Sequence, residues 1–200
     1  MRGTMLRQIF AWGAAAALGV VLGAVSAWAA LGVGASSAST HFGQWSHSRL
    51  AGSTAAGPYT RALIAREGLL ALSAREALYF TLTRDADGRP LSEACVYELA
   101  GPDLDARWWS VTLYAADDYL VRNTDSAHSI DASRVRADID GLWRARLAPV
   151  RGDAMHWLSS REARRGFSLT LRVYNPQPGF QPSAETLPRL TRISCAGERS

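Results

Sequence analysis

The chain contains no lysine: all 22 basic residues among its 200 are arginine. With the abundance of alanine, this reads as the codon bias of a GC-rich genome and not as a binding device. Charge of one sign is scarce too. Arg2 and Arg7 precede a long apolar run, and without them 20 arginines face 18 acids. No basic block is left to follow a phosphate backbone, so the +4 net charge carries no nucleic-acid signal. Cysteine is limited to Cys95 and Cys195, too few and too far apart for a metal centre. No cysteine directly follows the apolar run, which excludes a lipid-modified N-terminal cysteine. Nucleophile elbow, zinc-protease helix pair, phosphate-cradling glycine loop and dinucleotide fingerprint are all missing, and no internal repeat occurs. A composition 48% apolar and 20% charged excludes disorder, and the length bounds the chain at one domain plus an appendage.

What is present begins at the N-terminus. Residues 9–33 carry no charge, and Ser26 is their only strongly polar side chain. As a helix they reach about 38 Å, enough to cross a hydrocarbon core of about 30 Å with tilt. Trp12 and Trp28 lie near the ends, where indoles favour the interface. Arg2 and Arg7 precede the span, the next arginine is Arg49, and no acid occurs before Glu67. The positive-inside rule then leaves the N-terminus in the cytoplasm and exports the rest. A cleaved signal is the alternative, because Ala27-Trp28-Ala29 fits a small-x-small site. The run is long for a signal and continues through Leu31 and Val33, which favours a retained anchor. Both readings place the domain outside the cytosol, where Cys95 and Cys195 are expected to form a disulfide. Two unconnected thiols are the alternative. The expected division is a cytoplasmic N-terminus over 1–8, a transmembrane signal-anchor helix over 9–33, a tether over 34–57 and a periplasmic β-domain over 58–200.

The tether is assigned on its serine, alanine and glycine, interrupted by Phe42 and Trp45; His41 and His47 within it read as solvated. Pro58 opens a helix expected to end near Leu72 and to pack on a sheet. The period then changes to two. Strands are expected over 77–83, 94–99, 108–114, 119–122, 142–147, 167–174 and 187–195, with the Asp85–Gly88 stretch as turn chemistry. Many short strands after one helix indicate a β-sandwich or barrel.

Close aspartate pairs (85/87, 103/105, 117/118 and 138/140) read as loop caps. His128 near Asp125, Ser129 and Asp131 suggests a hydrolytic grouping, although such residue types meet often in loops. His156 beside Trp157 reads as a loop or core histidine. A firmer pattern is a row of hydroxyls and aromatics opposite the apolar row on three strands. It comprises Tyr79, Thr81 and Thr83; Trp108, Ser110, Thr112 and Tyr114; and Ser168, Thr170, Arg172 and Tyr174. As neighbours these strands would present hydroxyls, stacking rings and one guanidinium, suited to a polyol, glycan or anionic lipid head group. Threonine and tyrosine are also simply good strand formers on a wet face, and Arg172 is equally suited to hold a neighbouring carboxylate.

Three segments carry a resemblance: Arg107-Trp108-Trp109-Ser110-Val111-Thr112-Leu113-Tyr114, Trp157-Leu158, and Leu169-Thr170-Leu171-Arg172-Val173-Tyr174-Asn175-Pro176. Together with Glu76-Ala77-Leu78-Tyr79-Phe80 and the Asp85–Gly88 turn, they resemble the bacterial family named domain of unknown function 1214, over about residues 58–180. The resemblance implies an antiparallel β-sandwich of jelly-roll character and carries no catalytic residues. Asn123 and Ser129-Ile130 match the family's pattern, whereas Ala127 stands where members have arginine. Ser159 stands where a proline often follows Trp-Leu. The expectation is a membrane-anchored module without catalysis, metal or cofactor, binding an envelope glycan, a lipid head group or a protein partner and no nucleic acid. Its binding face would use Trp108, Ser110, Thr112, Tyr114, Thr170, Arg172 and Tyr174. An envelope hydrolase and a structural subunit of an inner-membrane complex are the alternatives.

Overall fold

A computed structural model describes residues 2–37, 39–48, 72–73 and 75–197. Helix α1 (Arg2–Ser37) runs unbroken through the apolar stretch, which holds no proline to interrupt it. Its Phe10–Ala29 portion is long and apolar enough to cross a membrane. Phe10, Trp12 and Trp28 expose 72–77% of their surface, and the Phe10–Ala29 portion buries no face against the domain.

Only residue 38 lies between α1 and the first strand. β1 (Ser39–Phe42) turns at Gly43 and Gln44 into β2 (Trp45–Ser48). The tether expected over 34–57 is therefore corrected for 39–48, which form a hairpin on the sheet edge. The reason is Trp45: it is 1% exposed and its indole donates to the Pro188 carbonyl at 2.6 Å. Gln44 adds two bonds of 2.9 Å to the backbone of Leu190. The helix expected from Pro58 lies outside the described residues except for Leu72.

The remaining strands are β3 (Ala77–Leu82), β4 (Cys95–Gly101), β5 (Ala106–Ala115), β6 (Ser129–Asp131), β7 (Trp143–Ala148), β8 (Trp157–Ser159), β9 (Phe167–Pro176) and β10 (Arg189–Cys195). They form a six-stranded sheet, β1-β2-β3-β9-β5-β6, and a four-stranded sheet, β10-β4-β7-β8. The β-rich fold is as expected, with one refinement: β7 and β8 run parallel, so the smaller sheet is mixed. The stretch 119–122 is not a strand and contributes a single bridge, Tyr114 to Leu120. β6 and β8, three residues each, are not anticipated by the sequence pattern.

Alternation aims one row of each strand at a common core. Phe80, Leu82, Leu169, Leu171 and Val173 from the large sheet meet Tyr97, Leu99, Leu147 and Leu190 from the small one. Trp109 of β5 stacks on Trp143 of β7 at 4.8 Å, and Tyr97 meets Phe167 edge-on at 6.0 Å. These aromatic pairs join the two sheets. Gly101 lets β4 end beneath Pro188, whose Cα would lie 2.8 Å from any added Cβ. Cys95 and Cys195 face each other in the β4–β10 register and are joined as a disulfide.

Candidate functional site

The order β3-β9-β5 makes neighbours of the three strands that carry the hydroxyl and aromatic rows. Ala77, Tyr174 and Trp108 share one cross-strand row, and Tyr79, Arg172 and Ser110 the next. Thr81, Thr170 and Thr112 form a third, and Tyr114 lies opposite Ser168. The seven expected residues therefore do share one outer face. They are not equally accessible: Ser110 and Thr170 are buried, whereas Trp108, Thr112, Tyr114, Arg172 and Tyr174 are half-buried.

Arg172 is the centre of the face. One Nη donates to Thr112 Oγ1 at 3.2 Å and the other to the Tyr114 hydroxyl at 2.7 Å. Its guanidinium carbon also lies 5.4 Å from the Tyr114 ring centroid, a cation–π distance. No carboxylate among the described residues pairs with it, so Arg172 does not act as half of a structural ion pair. Trp108 leans on Tyr174 with ring centroids 5.4 Å apart, and its indole donates to Ser133 Oγ at 3.1 Å. Burial raises the Tyr174 phenol above its ordinary pKa, opposed by the Arg172 charge.

The grouping around His128 does not assemble as a triad. Asp131 pairs with Arg134 at 3.3 Å and accepts from the Ser133 amide, while Ser129 stands on β6. The Nδ1 of His128 is closed off without a partner. Asp125 belongs to a different network that the spacing does not reveal. It accepts from Ser159 Oγ at 2.6 Å and from Arg161 Nε at 2.9 Å, with an Arg161 Nη at 2.5 Å. Those bonds, the arginine's first, hold the carboxyl below the usual carboxylate range. Asn123 completes the clamp, donating to Ser159 Oγ and to the Arg161 carbonyl. The two departures from the family pattern meet here, because the Ser159 amide donates to the Ala127 carbonyl at 2.8 Å. A proline at 159 has neither that amide nor the hydroxyl that reaches Asp125.

Aspartate pairs serve turns and ion pairs. Asp85 caps the Asp87 and Arg89 amides, and Asp138 and Asp140 both bind Arg144. His47 is not solvated as expected: it is half-buried, bonded to the Tyr79 carbonyl at 2.9 Å and 5.1 Å from the Phe80 ring centroid. Among the described residues no three His, Cys, Asp or Glu side chains gather as metal ligands would.

The model of a family described as "Protein of unknown function (DUF1214)" matches residues 76–178, from the start of β3 to just past β9. This chain belongs to the DUF1214 family. Both long strands of the candidate face lie within the match. Among solved structures, the DUF1214 chain is similar to the VPA0106 protein from Vibrio parahaemolyticus. That likeness has a TM-score of 0.55 at 22% identity and covers 70% of this chain and 36% of that one. A second, to an uncharacterised protein from Burkholderia cenocepacia, has a TM-score of 0.46 at 14% identity and covers 58% and 29%. The chain thus spans about a third of the length of these solved relatives. The first likeness concerns the fold. No curated protein matches the chain.

Proposed function

We propose that this DUF1214 protein is a non-catalytic binding module, held by α1 in the bacterial inner membrane with its β-domain in the periplasm. One observation carries the binding half of this reading. The Arg172 guanidinium is met by two neutral hydroxyls and a ring, and by no carboxylate among the described residues. A half-buried guanidinium without an acid keeps its full charge for an incoming anion. Trp108 and Tyr174 beside it offer flat apolar surfaces for a sugar ring or a lipid glycerol. The ligand is an envelope glycan or lipid head group with an anionic group, or a protein partner presenting one. The membrane half is supported by the length and apolar character of α1, by Arg2 and Arg7 ahead of it, and by a disulfide that persists in an oxidising compartment.

The test is purification of the full-length protein in mild detergent, followed by mass spectrometry of what remains bound. Wild type is expected to retain a specific molecule that Arg172→Ala and Trp108→Ala both lose, with circular dichroism unchanged. Equal recovery of that molecule from wild type and both variants overturns the reading.

A further inference from the structure

The opposite side of the sandwich holds a second concavity. It is a groove of about 380 Å³ on the outer face of the four-stranded sheet, floored by β4 and β7 and walled by residues 136–138 and 154–156. Two successive outward residues of β7, Arg144 and Arg146, lie on its floor. Their situations differ. Arg144 binds Asp138 at 2.9 Å and Asp140 as well, which raises its pKa. Arg146 has no ion pair among the described residues, and its Nε is shut off from solvent without a hydrogen-bond acceptor. Glu98 stands directly opposite it in the β4–β7 register, yet no ion pair joins them. Arg136 on the wall likewise has no ion pair among the described residues, and the His156 Nε2 is shut off from solvent without a partner.

Arg146 as a whole is only half-buried, so the rest of its guanidinium stays open to the groove, where an anion meets a charge with no acid of its own. The groove therefore offers two guanidinium groups without an ion pair among the described residues, and the Glu98 carboxylate on the strand beside Arg146. Met155 and Ile193, 78% and 60% exposed, add apolar surface at the rim. The wall that carries Met155 is preformed, since Arg151 bonds the carbonyls of Ala154 and Met155. The volume is that of a small-molecule site.

We infer that this groove binds a phosphate ester carrying an amine, the chemistry of an ethanolamine-type phospholipid head group. The phosphate accepts from the guanidinium groups of Arg146 and Arg136, the ammonium faces Glu98, and any attached chain lies on Met155 and Ile193. This site is independent of the Arg172 face.

The full-length protein in a non-ionic detergent is titrated calorimetrically with glycerophosphoethanolamine, glycerophosphoglycerol and inorganic phosphate. Wild type is expected to bind glycerophosphoethanolamine the tightest of the three. Arg146→Gln should weaken it roughly tenfold or more. Glu98→Gln should weaken glycerophosphoethanolamine and leave glycerophosphoglycerol unchanged. Each titration is repeated in the Arg172→Gln background, so that binding at the opposite face is removed and the Arg146 and Glu98 effects are read on this groove alone. Dihexanoyl phosphatidylethanolamine binding more tightly than its head group identifies a lipid source, and equal affinity identifies the free ester. The inference is overturned by no saturable binding up to about 10 mM, by Arg146→Gln binding like wild type with its circular dichroism intact, or by equal affinity for phosphate and glycerophosphoethanolamine.

Discussion

Asp125 shows how single side chains tie this domain to pH. Arg161 and Ser159 depress its folded pKa, so its contribution to stability is complete above the ordinary carboxylate range and is lost as pH falls through the depressed value. Asp140, pushed down to about 2 mainly by Arg144, acts with the same sign. Thermal melts of wild type are therefore expected to fall steeply below about pH 4. Asp125→Asn should start lower at pH 7 and lose less on acidification, with a residual slope from Asp140. Parallel acid limbs for the two proteins would contradict the assignment. The residue scale is also where sequence reading is weakest. Arg172 is legible because strict alternation puts it in a polar row, but its hydroxyl partners depend on the register of three strands. Arg146 is less legible still: its groove needs Arg136 and His156 from loops whose positions no periodicity encodes.

Among the elements, the long strands announce themselves because each alternates over enough residues to define two faces. β5 and β9 are ten residues each and the expected cores of both are right. β6 and β8 are too short to show any period, and their pairing is dictated by neighbours. The β1–β2 hairpin is hidden by composition, since serine, threonine and histidine read as solvated chain; Trp45 is the single signal for burial. Trp45→Ala is expected to destabilise the domain by about 3–5 kcal/mol in urea titrations. Trp45→Phe keeps most of the packing but leaves the Pro188 carbonyl without its donor, at about 1–3 kcal/mol. The β4–β10 staple closes a loop of 100 residues, for which chain-entropy reasoning gives about 4–5 kcal/mol. Cys195→Ser should lower the unfolding midpoint accordingly, and alkylation of the native protein without reductant should label neither cysteine.

For the molecule as a whole, the sequence conveys a long apolar helix followed by a β-rich domain of the DUF1214 kind, and the structure agrees. It does not convey how the sheets divide the strands, because that follows from which apolar rows face one another across the core. Orientation across the membrane is open to direct measurement. A reporter fused after Ser200 that works only when exported should be active, and activity of a reporter restricted to the cytosol would reverse the topology. The splice between helix and hairpin then has a consequence for where the domain works. With Phe10–Ala29 in the bilayer, eight helical residues and one more precede the first strand, roughly 12 Å of helix and one chain step of about 3.5 Å. Trp45 on β2 ties the hairpin that begins there to the domain. If the span is retained in a bilayer, the domain works close above the lipid, and the molecules it meets are those that belong to that surface or descend to it.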